Sequence, residues 1–496
     1  MKNEIKFGTD GWRGITGFEF TGEKIRLITS GVCSYLQRNR EANSKNLKST
    51  PWKPAPRVVI GYDTRFLSDR FAFNAAEIFS SSGIETYIAD KFVTTPALSR
   101  AVVCRDADLG IMITASHNPY YYNGYKIKGF YGGSATVDII LEIEKAVNEL
   151  SHGSRLKDFC HNHISGNENN KSSGFNFSKT DFLMDYRNYV LNIIDTEIIT
   201  RNMNFNVVVD PMFGAGQGLF KDIIKDLTGS VVHEIHGVLN TSFGGINPEP
   251  IGENLNDAIN ALRKNRCGLA LCIDGDGDRI GAIGENGNFV SSHHIFAIIL
   301  DYLIRYKKLS GKIVKTVSTS SIIDRICSSN KLELITKPVG FKYIGEEILN
   351  GGVIMGGEES GGLWVNGYIP ERDGIMIGLL LLEVICRENK TVNEILKDIY
   401  NKYGFFLYRR ADYEIENEKK EKVKELLSKS IPAELKSEGA SEPVKIDGFK
   451  YFFEDGSWIM IRPSGTEAVV RIYAESNSSE KLDYLHELGR KILEKN

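Results

Sequence analysis

The amino-acid sequence predicts an α/β protein, with three similar mixed α/β domains whose sheets are largely parallel and a C-terminal α+β domain. Three observations carry this expectation. A strand–helix–strand pattern recurs three times along the chain. Each copy is followed by one more apolar strand that runs straight into an unusual polar loop. The last part of the chain breaks the pattern, with short strands around a tight polar loop and then a terminal helix.

In the first copy, residues 58–61 are a short apolar run ending at Asp63, residues 69–82 have helical spacing, Gly83 stops the helix, and Glu85–Ala89 reads as a second strand. The second copy has a strand at Val207–Asp210, a helix over 215–227, Gly229, and a strand over 231–235. The third runs 312–318, 320–330 and 332–336. Strand, helix, strand in that order implies parallel pairing, because the crossover returns the chain to the same end of the sheet. The strand Leu109–Ile113 leads to Thr-Ala-Ser-His-Asn-Pro (114–119), Leu269–Ile273 leads to Asp-Gly-Asp-Gly-Asp-Arg (274–279), and residues 353–355 lead to Gly-Gly-Glu-Glu-Ser-Gly-Gly (356–362). Ligands of open α/β sheets bind at the carboxyl ends of strands, so all three loops are expected to serve one shared cleft. In the fourth part, strands over 451–453 and 458–462 precede the loop Arg-Pro-Ser-Gly-Thr-Glu (462–467), a strand resumes at 469–474, and a helix starts near Asn477 with Glu480 completing a capping box.

These signals divide the chain into residues 1–180, 181–288, 289–403 and 404–496, with polar, aperiodic insertions at about 37–56 and 151–180. The 61 basic and 64 acidic residues give a net charge of −3, which excludes a generally basic nucleic-acid binder. No apolar signal segment is expected at residues 1–7, and the most apolar run, 375–386, is broken by Glu383 and falls short of the roughly 18 residues that span a bilayer. Seven cysteines, with no Cys-x-x-Cys pair and several inside apolar runs (Cys33, Cys272, Cys386), suit buried thiols in a reducing compartment. The expectation is a cytoplasmic protein with no membrane and no nucleic-acid partner.

Alternate carboxylates at Asp274, Asp276 and Asp278 in a glycine-interspersed loop can turn three oxygens toward one hard cation, and Mg²⁺ favours such ligands. A solvated acidic turn is the competing reading. An EF-hand fails because Arg279 stands where its loop needs glycine and a strand precedes the loop. Ser116 lies just past a strand, beside His117, without the Gly-x-Ser-x-Gly elbow of an α/β-hydrolase; a serine in a polar turn is its bland alternative. Lys126, ten residues on, is a candidate base, because neighbouring cations and a metal can push a lysine pKa down. Glu358 and Ser360, among glycines, suit adjacent sugar hydroxyls. Arg462, Ser464 and Thr466 around Gly465, with Arg471 on the next strand, resemble a nest for a dianion. Arg13, in Phe-Gly-Thr-Asp-Gly-Trp-Arg-Gly (7–14), can face the same cleft, and Asp63-Thr64-Arg65 repeats the theme more weakly. Cys160, His161 and His163 lack the spacing of a zinc site.

Taken together and in order, these loops resemble those of the α-D-phosphohexomutase superfamily, in its phosphoglucomutase/phosphomannomutase branch, over nearly the whole chain apart from the two insertions. The resemblance implies four domains in a heart-shaped arrangement around a central cleft. It implies a phosphoryl-carrying Ser116, Mg²⁺ held by Ser116, Asp274, Asp276 and Asp278, and catalytic roles for Lys126 as general acid/base, His117 and Arg279. Substrate contacts are implied at Thr9, Arg13, Lys342, Glu358, Ser360, Arg462, Ser464, Gly465, Thr466 and Arg471. The implied partners are hexose phosphates, with glucose 1,6-bisphosphate as activator and intermediate, acting on a monomer or homodimer. Dual-specificity glucose/mannose mutases typically have Gly-Glu-Met-Ser-Gly-His in the sugar loop and phosphoglucosamine mutases resemble Gly-Glu-Gln-Ser-Gly-His. This chain has Gly-Glu-Glu-Ser-Gly-Gly (357–362), Gly-Phe-Lys-Tyr at 340–343, and Gly277 where the glucosamine enzymes carry alanine, which leans toward interconversion of glucose 1-phosphate and glucose 6-phosphate, with mannose phosphates still open and a phosphomannomutase or phosphoglucosamine mutase as the alternatives. A metal-dependent sugar phosphatase and a noncatalytic sugar-phosphate sensor are the readings from other classes.

Overall fold

The computed structural model describes residues 5–8, 10–45, 55–151, 177–465 and 468–495. The chain forms two compact units: Met1–Ser292 with Gly345–Gly351 and Ser360–Val392, and His293–Ile344 with Gly352–Glu359 and Asn393–Asn496.

The first unit holds two mixed sheets. One uses β1 (Trp12–Ile15), β2 (Arg57–Tyr62), β3 (Glu85–Ala89), β4 (Leu109–Ile113), β5 (Tyr122–Gly129) and β6 (Phe177–Thr180) in the order β1-β5-β4-β2-β3-β6. β2 runs parallel to β3 and β4, and β6 parallel to β3, whereas β5 is antiparallel to both β4 and β1. All five residues of β4 are buried, as expected for a strand covered on both faces. The helix Ser68–Ser81 covers one face through Phe71, Ala72, Ala75, Ala76, Ile78 and Phe79, a helical-period stripe. The second sheet combines β7 (Val207–Asp210), β8 (Val232–Glu234), β9 (Leu269–Ile273), β10 (Ile280–Gly284) and β11 (Phe289–Val290) in the order β11-β10-β9-β7-β8. β7, β8 and β9 are parallel, and β10 turns back antiparallel beside β9. The apolar helix Gly374–Glu388 is buried along nearly its whole length and starts at Asp373, whose carboxylate caps the Met376 N–H at 3.0 Å.

In the second unit, β12 (Lys312–Thr316) pairs in parallel with β13 (Glu333–Lys337) and β14 (Val353–Gly357). The C-terminal part is antiparallel throughout, with strands Leu407–Glu414, Val469–Ser476, Trp458–Pro463 and Phe449–Phe452 side by side in that order. The helix Ser479–Lys495 closes it, packing Leu482, Leu485, Leu488, Ile492 and Leu493 into one core with Ile459, Ile461, Val470 and Ile472. Among the described residues, no helix is long and apolar enough to cross a membrane.

The predicted strand–helix–strand repeats are present, with local differences. The second helix begins at Leu219 rather than 215, because residues 211–218 form a tight turn with glycines at 214, 216 and 218. The first insertion is expected as loop, yet the helix Gly22–Lys45 runs into it, and residues 46–54 lie outside the described residues. The second insertion ends in β6; residues 152–176, with Cys160, His161 and His163, lie outside the described residues. The last helix is capped one residue later than expected, by the Ser478 hydroxyl on the Lys481 N–H at 3.2 Å. Cys33, Cys272 and Cys386 are buried free thiols.

Candidate active site

Ser116 sits where β4 ends, in a left-handed conformation (φ 53°) and fully buried. A left-handed serine needs external support, and a relay supplies it. The Asp63 carboxylate accepts from Thr114 Oγ1 at 2.6 Å, and Thr114 Oγ1 in turn accepts from the Ser116 N–H at 2.9 Å. Arg65, itself buried, donates to the carbonyls of Ser116 and Asn118 at 2.6 Å each, of Pro119 at 2.8 Å and of Tyr122 at 3.1 Å. Its Nε lies 3.2 Å from Asp63. One buried ion pair thus fixes the whole 114–122 turn. The weak repeat at 63–65 in the sequence is this clamp, and it holds backbone.

The Ser116 hydroxyl donates to Asp274 Oδ2 at 2.7 Å, and His117 Nδ1 lies 3.5 Å from the serine Oγ. The loop after β9 reaches the serine because Gly275 has no side chain: a Cβ there would stand 2.6 Å from the Ser116 carbonyl oxygen. Gly277, with φ 74°, turns the loop so that Asp276 faces the N-terminus of the helix Thr95–Cys104. The Thr95 hydroxyl donates to Asp276 Oδ2 at 2.5 Å and its N–H to the Asp276 carbonyl at 2.8 Å.

Lys126 arrives through strand pairing: β5 returns antiparallel beside β4, with Lys126 opposite Met112. Its Nζ lies 2.7 Å from Asp10, 2.8 Å from Asp276 and 3.1 Å from Asp278. Burial works against the ammonium, but the charges of Asp10, Asp276 and Asp278 outweigh it and hold the lysine above its ordinary pKa. The downward shift expected from the sequence is therefore absent in this arrangement, where Lys126 serves as counter-ion to the acidic loop.

Asp274, Asp276 and Asp278 are completely buried and offer oxygens within 4.8 Å of one another. Burial, reinforced by the charges of Asp278 and Asp276, pushes the Asp274 carboxyl well above the usual range. Asp276 moves the other way, because Lys126 and Thr95 overcome its burial. Asp276 Oδ1 and Asp278 Oδ1 are buried without a hydrogen-bond partner. Two orphaned acceptors beside a third carboxylate driven toward protonation fit a hard divalent cation and do not fit a solvated turn. Arg279 donates its N–H to Asp274 Oδ1 at 3.0 Å, and its guanidinium lies 3.4 Å from Glu249 and 3.8 Å from Asp278.

Two groups at the centre have no role in the sequence reading. Asp10 accepts from Lys126 and from Arg372 Nη2 at 2.6 Å, and the same Arg372 nitrogen lies 2.9 Å from Asp278. Arg372 stands just before the cap of the helix Gly374–Glu388, and Arg-Asp-Gly ahead of a long apolar run is its one available signal. Arg13 is held by the Asn118 side chain of the serine loop. Ser360 belongs to the same unit, and the next residue, Gly361, accepts the Ile280 N–H at 3.2 Å, which joins it to the strand after the acidic loop.

Within the second unit, Arg462 and Arg471 are cross-strand partners. Arg462 Nε donates to Asp447 at 3.0 Å and Arg471 Nε to Asp412 at 3.1 Å, so both guanidinia are oriented by carboxylates. Ser464 is buried and its N–H is committed to the Val469 carbonyl at 2.8 Å, while Gly465 is exposed. Glu358 is buried, and its neighbour Glu359 accepts from Ser318 Oγ at 2.6 Å. Lys342 Nζ lies 5.0 Å above the Tyr343 ring. Thr9 and Thr466 lie outside the described residues.

A serine hydroxyl set against a cation-ready carboxylate cluster, with a buried lysine on the far side, is equipment for phosphoryl transfer. Four family models of phosphoglucomutase/phosphomannomutase match in succession: α/β/α domain I over residues 4–153, domain II over 184–287, domain III over 291–403 and the C-terminal domain over 414–488. The chain is 30% identical to a phosphoglucomutase/phosphomannomutase of Thermococcus kodakarensis over 98% of both chains. It is also 30% identical, over 98% of both chains, to a Methanosphaera stadtmanae protein named for phosphoglucosamine mutase. A crystal structure from Thermus thermophilus, described as a phosphomannomutase, superposes with a TM-score of 0.82 at 29% identity over all of both chains. The chain belongs to the α-D-phosphohexomutase superfamily, in its phosphoglucomutase/phosphomannomutase branch. It has the four-domain α/β architecture of that family and is an isomerase of the phosphohexomutase type, with an aspartate-rich site for a divalent cation.

Proposed function

We propose that this chain interconverts glucose 1-phosphate and glucose 6-phosphate, with Ser116 as phosphoryl carrier, Mg²⁺ as cofactor and glucose 1,6-bisphosphate as intermediate and activator. The observation that carries the reading is the Ser116 hydroxyl, 2.7 Å from Asp274, in a centre whose Asp276 and Asp278 each keep one unsatisfied buried oxygen. Mg²⁺ held by Ser116, Asp274, Asp276 and Asp278 would neutralise charge on the phosphoryl oxygens, which is the main requirement of phosphoryl transfer.

The rest is work for side chains. With a cation at the acidic loop relieving the negative charge that holds Lys126 protonated, the substrate hydroxyl would attack the phosphorus carried on Ser116, the bond from phosphorus to Ser116 Oγ would break, and the neutral Lys126 Nζ would take the hydroxyl proton. The bisphosphate then turns, Ser116 Oγ attacks its other phosphorus, and Lys126 returns the proton to the departing sugar oxygen. Arg279, in the acidic loop, and Arg13, held by Asn118 of the serine loop, are assigned to the charge of the phosphoryl group in transfer, and His117 borders the nucleophile. Glu358 and Ser360 are assigned to the sugar hydroxyls, Lys342 to the substrate, and Arg462, Ser464, Gly465 and Arg471 to the phosphate that is not in transfer. Thr9 and Thr466 complete the set as assigned from the sequence.

The sugar loop, with an acid at 359 and glycine at 362, supports glucose phosphates. The 30% identity to a protein named for phosphoglucosamine mutase favours amino sugars as the second reading. A coupled assay on the 1-phosphates of glucose, mannose, glucosamine and N-acetylglucosamine decides between them, and glucose 1-phosphate is expected to be turned over fastest. A faster rate on an amino sugar would leave the reaction class standing and remove the substrate. Steady release of inorganic phosphate from glucose 6-phosphate would instead indicate a phosphatase.

Arg462→Ala tests the distal-phosphate assignment. Losing a charge-assisted contact to a dianion costs on the order of 1.5–3 kcal/mol. The Michaelis constants for both glucose phosphates should therefore rise together, by about 10- to 100-fold, and glucose 1,6-bisphosphate should escape into solution. A rise for one substrate alone would sink the two-orientation cycle.

A further inference from the structure

The loop that carries the metal aspartates is braced from behind by a turn the catalytic assignments do not use. After β7, the segment Asp210-Pro-Met-Phe-Gly-Ala places two successive non-glycine residues in the left-handed region, Met212 at φ 47° and Phe213 at φ 58°. Neither side chain favours that conformation, and two in a row persist only where surrounding contacts over-determine them. The turn presses on the acidic loop backbone to backbone. Ala215 N–H donates to the Gly275 carbonyl at 2.9 Å, and a Cβ on Gly214 would come within 2.6 Å of that same oxygen. Gly275 stands between Asp274 and Asp276, so wherever the turn rests fixes where two of the three carboxylates point.

What over-determines the turn is His236. Its Nδ1 lies 2.9 Å from Asp210 Oδ1, the oxygen that also caps the Met212 N–H at 2.8 Å. Its carbonyl accepts the Phe213 N–H at 3.2 Å, and its ring lies 4.4 Å from the Phe213 ring. Its Nε2 faces Asp257 at 3.3 Å, in the first turn of the helix Asn256–Asn265. Thr64 Oγ1 adds a bond to the Phe213 carbonyl at 2.8 Å. Asp210 is buried, its second oxygen has no hydrogen-bond partner, and among the described residues neither Asp210 nor Asp257 forms an ion pair with a lysine or arginine. Two residues before it, at the end of β8, Glu234 is committed to Lys221 at 3.1 Å and to the Gly218 N–H at 2.8 Å.

We propose that His236, bridging Asp210 and Asp257, is a positioning residue that holds the strained 211–215 turn against Gly275 and thereby sets the affinity of the aspartate loop for its divalent cation. This rests on the reading of Asp274, Asp276 and Asp278 as the metal site. Burial disfavours the imidazolium, but Asp210 and Asp257 outweigh it and raise the His236 pKa above its ordinary value of 6.5. A raised pKa means that the bridge is complete below about pH 6.5 and is lost as pH rises through the folded-state value.

The test is Mg²⁺ affinity by isothermal titration calorimetry, at pH values from about 6 to 9, on the wild type, His236→Asn and Asp257→Asn. Asparagine tolerates the left-handed φ of 51° at position 236, and Asp257 is exposed, so neither change threatens the fold. Supporting groups behind a metal ligand typically change affinity by about 10-fold or more. His236→Asn should therefore bind Mg²⁺ about 10-fold more weakly than wild type near pH 6, with the ratio falling toward one near pH 9. Asp257→Asn should match the wild type at both ends and bind more weakly between them, because losing that carboxylate lowers the histidine's pKa. A ratio constant with pH means that His236 only packs, and a ratio of one throughout means that it does nothing for the loop; either overturns the proposal alone. A wild type that binds no Mg²⁺ at any pH overturns the metal-site reading and this proposal with it.

Discussion

Replacing Ser116 with alanine is expected to abolish turnover and leave the fold intact. The side chain contributes only its hydroxyl contacts to Asp274 and His117, whereas the loop is held through backbone groups that alanine keeps: the N–H on Thr114 and the carbonyl under Arg65. Loss of a covalent nucleophile commonly costs about 10⁴-fold or more, on the order of 10⁶ in well-studied cases. Thermal melting should stay close to wild type. Intact-mass measurement should find a form about 80 Da heavier in the wild type, removable by glucose 6-phosphate, and none in the variant. Wild-type turnover by the alanine variant would show that another group carries the phosphoryl.

Asp276→Asn should weaken Mg²⁺ binding by at least about 10-fold and lower turnover at fixed metal concentration, with partial recovery in excess Mg²⁺. An amide cannot satisfy this position in either orientation. Asp276 Oδ2 faces Lys126 Nζ at 2.8 Å and the Thr95 hydroxyl at 2.5 Å, both donors, and Oδ1 is the orphaned acceptor assigned to the cation. Whichever oxygen becomes NH₂, a donor is set against a positive group or another donor. Calorimetric titration with Mg²⁺ reads the loss directly. Unchanged metal dependence would return the acidic loop to the status of an unliganded turn.

The elements legible in the sequence are those whose cause is local. Leu109–Ile113 and Leu269–Ile273 are legible at their full extent because each is an uninterrupted apolar run between turn residues, and a strand buried on both faces leaves that mark. The three aspartates stand out by type and spacing, whereas Ser116 and Lys126 gain their roles only from the set of loops taken in order, and strand pairing brings Lys126 to the aspartates. What escapes is long-range. Asp10 and Arg372 are 362 positions apart yet 2.6 Å from each other, and no periodicity encodes a contact between buried charges. Arg65 reads as a second, weaker cleft-facing arginine because a guanidinium in a polar turn leaves the same mark whether it faces solvent or four carbonyls. β5 is not legible as a strand because its buried residues include Asn123, Lys126 and Lys128, polar groups whose burial depends on partners from other segments.

The Arg65 clamp also determines which part of the proposed cycle stands still. Four carbonyl contacts and a buried counter-ion tie down the 114–122 turn, so in that cycle the carrier oxygen is expected to keep one address. A bisphosphate that must present first one end and then the other to a stationary atom has to do all the travelling itself. The serine loop is then the pivot of the reaction, and the freedom needed for the half-turn must be provided entirely by the groups that hold the sugar and the distant phosphate.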